Sequence, residues 1–113
     1  MNTKPKIERI TFAVTRYWFD MFHSGAKTEE YRAITPYWAR RLMTPAPKGK
    51  GKYLKFKRFD EVVITCGYPK RGDKKRRLVF EHAGTRIGKG KPEIDCFNPD
   101  MDRFVIRIGK RIE

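Results

Sequence analysis

The residues that most often carry covalent or metal chemistry are scarce in this sequence. Its 113 residues include two cysteines and two histidines. Cys66 and Cys96 have no Cys-x-x-Cys spacing, which argues against a disulfide framework and against a zinc site. They read as two reduced thiols in a cytoplasmic protein. His23, close to a predicted helix end, reads as a packed or capping side chain. No apolar run approaches the ~20 residues that a membrane-spanning helix needs. The N-terminus lacks the hydrophobic segment of a signal peptide, and no internal repeat is present. These absences lead to an expectation of no cofactor, no metal and no membrane.

Acidic residues are also few. There are 27 Lys+Arg against 13 Asp+Glu, a net charge of +14. The imbalance is local: residues 48–91 hold 15 basic and 4 acidic side chains, and so carry +11 of the +14. A basic surface of that density repels itself and favours a polyanionic partner, nucleic acid first among them. Hydrophobic content of 39% and aromatic content of 13% are enough for one folded domain over 1–113 with a modest core.

Taken in order, the chain alternates short strands with two short helices. Residues 1–6 read as a polar tail. Ile10, Phe12 and Val14 alternate with Thr11 and Ala13, the pattern of a half-buried strand. Thr15 can cap a helix that turns Trp18, Met21 and Phe22 inward and ends at Gly25, a left-handed cap position. Thr35-Pro36 is an N-cap followed by proline at the first helical position, and this second helix runs to about Met43, with Trp38 and Leu42 inward. Thr44-Pro45-Ala46-Pro47 stops it, and 44–52 reads as a flexible basic loop. A strand over 61–66, a hairpin loop over 68–75, a returning strand over 76–82, a glycine-permitted turn near Gly88-x-Gly90, an irregular stretch over 92–100 and a last strand through Phe104, Ile106 and Ile108 complete the reading. The class is α+β: a small β-barrel, mostly antiparallel, with two short helices packed on one side.

Gly25-Ala26-Lys27-Thr28-Glu29-Glu30-Tyr31-Arg32 concentrates charge in a predicted strand. Alternation would put Thr28, Glu30 and Arg32 on one face and Lys27, Glu29 and Tyr31 on the other. This Gly-x-Lys-Thr-x-Glu-x-Arg pattern resembles the signature of ASCH domains, a PUA-like family. Thr35 to Leu42, Gly67-Tyr68, the Gly88 to Glu93 loop and the closing strand from Phe104 to Gly109 extend the resemblance, which is to a small branch often found in phages and prophages. The resemblance implies a PUA-like curled barrel and a cleft for RNA or a nucleotide base between helices and barrel. It also implies that Lys27, Thr28, Glu30 and Arg32 line that cleft.

The candidate interface with RNA or single-stranded nucleic acid therefore has two parts. At the signature strand, Lys27 is a donor to phosphate or carbonyl, Glu30 an acceptor for an exocyclic amine, and Arg32 a clamp on Glu30 or a phosphate contact. Around it, Arg40, Arg41, Lys50, Lys52, Lys70, Arg71, Lys74, Lys75, Arg76, Lys89 and Lys91 neutralise backbone charge, and Tyr53 can stack on a base. Phe56 and Phe59 read as core. One branch of the resembled family hydrolyses an acetylated nucleoside with the motif lysine and a threonine three residues later. Here that position is Glu30, so an amidohydrolase built on Lys27 and Glu30 is the alternative, and an interaction module for an acidic protein partner is the third reading.

Overall fold

The computed structural model of the protein describes residues 6–89 and 101–113. Its elements are β1 (Arg9–Val14), α1 (Arg16–Ser24), β2 (Glu29–Arg32), α2 (Pro36–Leu42), β3 (Met43–Pro45), β4 (Tyr53–Phe56), β5 (Glu61–Cys66), β6 (Arg77–Lys89) and β7 (Asp102–Arg111), with one 3-10 turn at Lys74–Arg76. Five strands make one curled mixed sheet in the order β1-β5-β6-β7-β2, a half-barrel, and β3 and β4 pair as a separate ribbon. The β1–β5 ladder is parallel, and the other ladders of the sheet are antiparallel. Among the described residues no helix is long and apolar enough to cross a membrane.

The expected barrel is open along one side. Its edge strands, β1 and β2, do not pair with each other. Arg32 on β2 instead reaches across the seam and donates through Nη2 to the carbonyl of Ala13 on β1 at 3.1 Å.

Alternation on β1 holds, with Ile10 and Phe12 buried and Thr11 turned away. Phe12, Leu42, Ile64, Leu78, Phe104 and Ile106 form the centre of the core. The core is closed by Phe56 and Phe59, half-buried against it as read from the sequence. Two of the three cap residues expected from the sequence act as expected. Thr35 accepts a hydrogen bond from the Trp38 amide at 3.3 Å with Pro36 behind it. Gly25 ends α1 at φ +85°, a conformation costly for any residue with a Cβ. Thr15 holds the N-cap position of α1, but its side chain makes no capping hydrogen bond.

Three local expectations need correction. Phe19 joins Phe22 as the buried pair of α1, while Trp18 is half-buried; the apolar face is rotated because Trp18 covers a lysine instead of the core. Helix α2 ends at Leu42 with Met43 as its C-cap, as expected, but Met43 also begins β3, and Thr44 and Pro45 pair with β4. A proline cannot continue a helix but is tolerated on an edge strand, so the 44–52 loop is the end of a two-stranded ribbon. Gly88 and Lys89, expected in a turn, are strand: β6 runs through them, paired with β7 as far as Lys89 and Asp102. Register shifts fall earlier, around His82 and Gly84, the latter at φ +133°, while Gly88 pairs in register with Arg103. Lys91, Gly90, Cys96 and the stretch read as irregular lie outside the described residues, as do residues 1–5 of the expected tail.

His82 sits on that irregular part of β6. Its ring meets the edge of Phe59 at 5.5 Å between centroids, and its Nε2 is 2.8 Å from the Thr85 hydroxyl. Burial lowers its pKa below the ordinary 6.5, and a hydrogen bond to the Phe59 backbone offsets this only in part. As pH falls through the unfolded value, the unfolded chain takes up a proton that the folded chain resists. The stability His82 contributes is thus intact above about pH 6.5 and is lost below it, down to the folded pKa. Urea midpoints measured from pH 7.5 to 5.5 are expected to fall more steeply for the wild type than for His82→Gln; parallel curves would refute the assignment.

Candidate functional site

β2 begins only at Glu29, and this decides how the charged signature is arranged. Lys27 lies in the turn before the strand, where its amide donates to Met21 at 3.0 Å. Freed from strand alternation, its side chain turns to the same side as Glu30. The Lys27 ammonium lies 3.1 Å from Glu30 Oε1, and Glu30 Oε2 lies 2.7 Å from Arg32 Nη2. Glu30 Oε1 also accepts from the Tyr31 amide at 3.2 Å. Around the ammonium stand the rings of Trp18 at 4.3 Å, Phe22 at 5.1 Å and Tyr31 at 5.6 Å. Lys27 and Glu30 are each 4% exposed.

Two buried charges of opposite sign with good hydrogen bonds offset much of each other's desolvation cost, and the aromatic faces add cation–π attraction. The cluster thus spends Lys27 and Glu30 on one another. Of the three, Arg32 is the one whose side chain stays partly exposed, 22% against 5% for each of the other two. Arg32 lies between the rings of Phe12 at 5.0 Å and Trp38 at 4.9 Å. Its Nη2 is bound to Glu30 and to Ala13, and its Nε is enclosed without an acceptor.

Arg32 is also one wall of a cavity of about 320 Å³. The floor is small: Thr11 and Ala13 of β1 and Thr65 of β5. Tyr37 and Trp38 of α2 form one side, and Tyr68, Pro69 and Arg77 at the base of the β5–β6 connection form the other. Gly67, at φ +64°, lets the chain turn sharply out of β5, and its amide is held by the Val14 carbonyl at 2.9 Å. Thr65 donates to the Gly67 carbonyl at 2.8 Å. The turn projects Tyr68 into solvent, 95% exposed. Arg77 fixes the same connection by donating to the carbonyls of Lys70, Asp73 and Pro69 at 2.8, 3.2 and 3.3 Å. Aromatic faces, two guanidinium groups and hydroxyls on a small floor suit a planar ring with hydrogen-bonding edges, and the size is at the lower end of small-ligand sites.

The other expected residues divide into two groups. Arg41 is exposed on α2 with its guanidinium 4.3 Å from the Tyr37 ring. Arg40 is exposed on the same helix, and its carbonyl accepts from Lys57. Lys70, Arg71, Lys74, Lys75 and Arg76 are exposed on the β5–β6 connection, Arg76 at 3.8 Å from Asp73. None of these lines the cavity itself, but Arg40 and Arg41 share α2 with Tyr37 and Trp38, and Lys70 to Arg76 lie in the chain between Pro69 and Arg77. Thr28, Lys50, Lys52, Tyr53 and Lys89 contribute nothing to its lining. Thr28 is exposed and accepts through its carbonyl from Ile108. Lys50 and Lys52 belong to the end of the β3–β4 ribbon, Tyr53 is half-buried against the core, and Lys89 lies 3.8 Å from Asp102.

Sequence reasoning overlooked Tyr37, Thr65, Tyr68 and Arg77 as cavity residues and read Trp38 as purely inward. The one signal for Tyr68 is an aromatic stranded between glycine and proline. Arg77 is indistinguishable in sequence from the five other cations of its loop. No family model, curated protein or solved structure matches the chain.

Glu30 is the only anion between two cations in this cluster, so its loss leaves Lys27 buried and uncompensated. Glu30→Ala is expected to cost about 3–5 kcal/mol of stability in urea unfolding. Thr28→Ala, an exposed change, is expected to cost no more than about 0.5 kcal/mol. Equal midpoints for the two variants would show that the cluster does not hold the fold.

Proposed function

We propose that this chain binds single-stranded nucleic acid, RNA above all, and takes one unstacked base into the cavity beside Arg32. The observation that carries the proposal is the composition of that cavity: Tyr37, Trp38 and Tyr68 together with Arg32 and Arg77, on a chain of net charge +14. Every base has a face that can stack on an aromatic ring, and the cations supply sequence-independent affinity for the backbone. We also read the fold as PUA-like and the chain as ASCH-like. The signature from Gly25 to Arg32, the Thr35 to Leu42 helix and the Gly67-Tyr68 step support that reading, since all three border the cavity or the charge cluster behind it. The preference for RNA rests on this resemblance. No observation favours the amidohydrolase alternative, because its lysine and carboxylate are engaged with each other and enclosed.

Fluorescence anisotropy with labelled single-stranded RNA, duplex RNA and single-stranded DNA over a salt series tests the proposal. Single-stranded RNA is expected to bind most tightly, with affinity falling steeply as salt rises. Tyr68→Ala is the decisive variant, because Tyr68 is exposed and its removal leaves the core intact. Loss of one stacked base costs about 1–3 kcal/mol, or roughly 5–150-fold in Kd. Absence of binding at low salt would overturn the proposal. Equal affinity for RNA and DNA would remove the preference for RNA.

A further inference from the structure

Two further hollows continue from the base cavity around the foot of the β5–β6 connection. One, of about 470 Å³, lies between the β1–α1 junction and Cys66-Gly67-Tyr68, and shares Ala13, Gly67 and Tyr68 with the base cavity. The next, of about 410 Å³, lies between α1 and the β5–β6 connection. It shares Arg16 with the second hollow and Arg77 with the first. The three form one track that begins at Trp38, passes Tyr68 and ends between α1 and the end of β7.

The far end of the track differs in character from its beginning. Its walls carry Arg16, Lys74, Lys75, Arg77 and Arg111 with Asp20 as the only carboxylate. Asp20 is 3.6 Å from Arg16, and both side chains are more than half exposed. Lys74, Lys75 and Arg111 have no ion-pair partner among the described residues. Lys74, Lys75 and Arg77 belong to the charge run of the β5–β6 connection, and folding adds Arg16 of α1 and Arg111 of β7 to them, from positions distant in sequence. Phe19 also lines this end, but it is only 3% exposed; the exposed rings of Tyr37 and Tyr68 stand at the other end, around the base cavity.

We propose that a single strand occupying the base cavity continues past Tyr68 and lays its following phosphates in the groove between α1 and the β5–β6 connection. The ligand is then an oligonucleotide of about four or more units, a span typical of small single-strand-binding domains, and not a free nucleotide. This rests on the base-cavity reading above. It adds a direction of travel, a minimum length, and two contacts, Arg16 and Arg111, that lie outside the basic stretch of the sequence. An end with exposed aromatic rings grips a base, and a cationic end whose Phe19 ring is buried grips backbone alone. A duplex, whose bases are all stacked, can use only the second.

The test uses the intact chain with AMP, UMP and oligo(A) and oligo(U) of about two, four and eight units. The variants are Arg16→Ala/Arg111→Ala and Tyr68→Ala. Both arginines are exposed, so the double variant is expected to unfold at nearly the wild-type urea midpoint. Each phosphate neutralised on a single strand contributes about −0.7 to the slope of log K against log salt. The double variant is therefore expected to weaken octamer binding and make its salt slope shallower by about 1.4, with mononucleotide affinity unchanged. An unchanged octamer slope would overturn the groove, as would mononucleotides that bind as tightly as octamers. In either case a loss on Tyr68→Ala would leave the base-cavity reading standing. No binding by any ligand at low salt would overturn both.

Discussion

The Glu30 carboxylate, gripped by Lys27 from one side and Arg32 from the other, is the interaction on which the rest of this architecture depends. It lies where the turn after α1 meets β2, and through Arg32 it reaches the backbone of β1 at Ala13. Three separate parts of the chain are thereby tied across the side where the sheet fails to close. A hydrophobic contact could bury similar area there but would not hold a guanidinium at a defined angle between Phe12 and Trp38. The wall of the cavity beside Arg32 is a direct product of that constraint.

The cations of this protein accordingly have two different uses. Lys27 and Arg32 are internal; their charges are compensated by Glu30 and by aromatic faces, and they contribute orientation. Lys70 to Arg76 and their neighbours are external, and few of them meet a carboxylate, so their charge remains available to a polyanion. Arg77 belongs to neither set. Its guanidinium is filled by three backbone carbonyls of its own loop, which turns a stretch dense in like charge into a wall with one shape. In the proposed mode of binding, affinity for a polyanion and selectivity for an unstacked base would come from different residues, and salt would lower the first without disturbing the second.

Much of this was legible in the chain itself. Periodicity identified β1, and cap chemistry located Thr35-Pro36 and Gly25, because those signals are local. The charged signature stood out for composition, but its geometry was misjudged by one assumption, that the strand starts before Lys27. With the strand beginning at Glu29, Lys27 escapes alternation and meets Glu30. The cavity was harder to foresee. Thr11, Ala13 and Thr65 form its floor because β1 lies beside β5 in register, with Ala13 opposite Thr65. That adjacency joins distant segments and leaves no mark on either one. The same holds for Arg16 and Arg111, which lie in unremarkable surroundings and meet only in three dimensions.

The parallel ladder between β1 and β5 also governs how the molecule comes to be folded. Arg9 and Glu61, joined at one end of that ladder, are 52 residues apart in sequence. An edge strand that pairs only with a partner so far along the chain gains nothing until the long intervening loop has been closed, a cost that rises with loop length and must be met before contacts return any stability. The β5–β6 hairpin carries no such delay, since its strands are neighbours in sequence. Assembly is therefore expected to start from the C-terminal hairpins and to recruit the first strand last. During synthesis Ile10 and Phe12 emerge early and stay without their partners until β5 has left the ribosome.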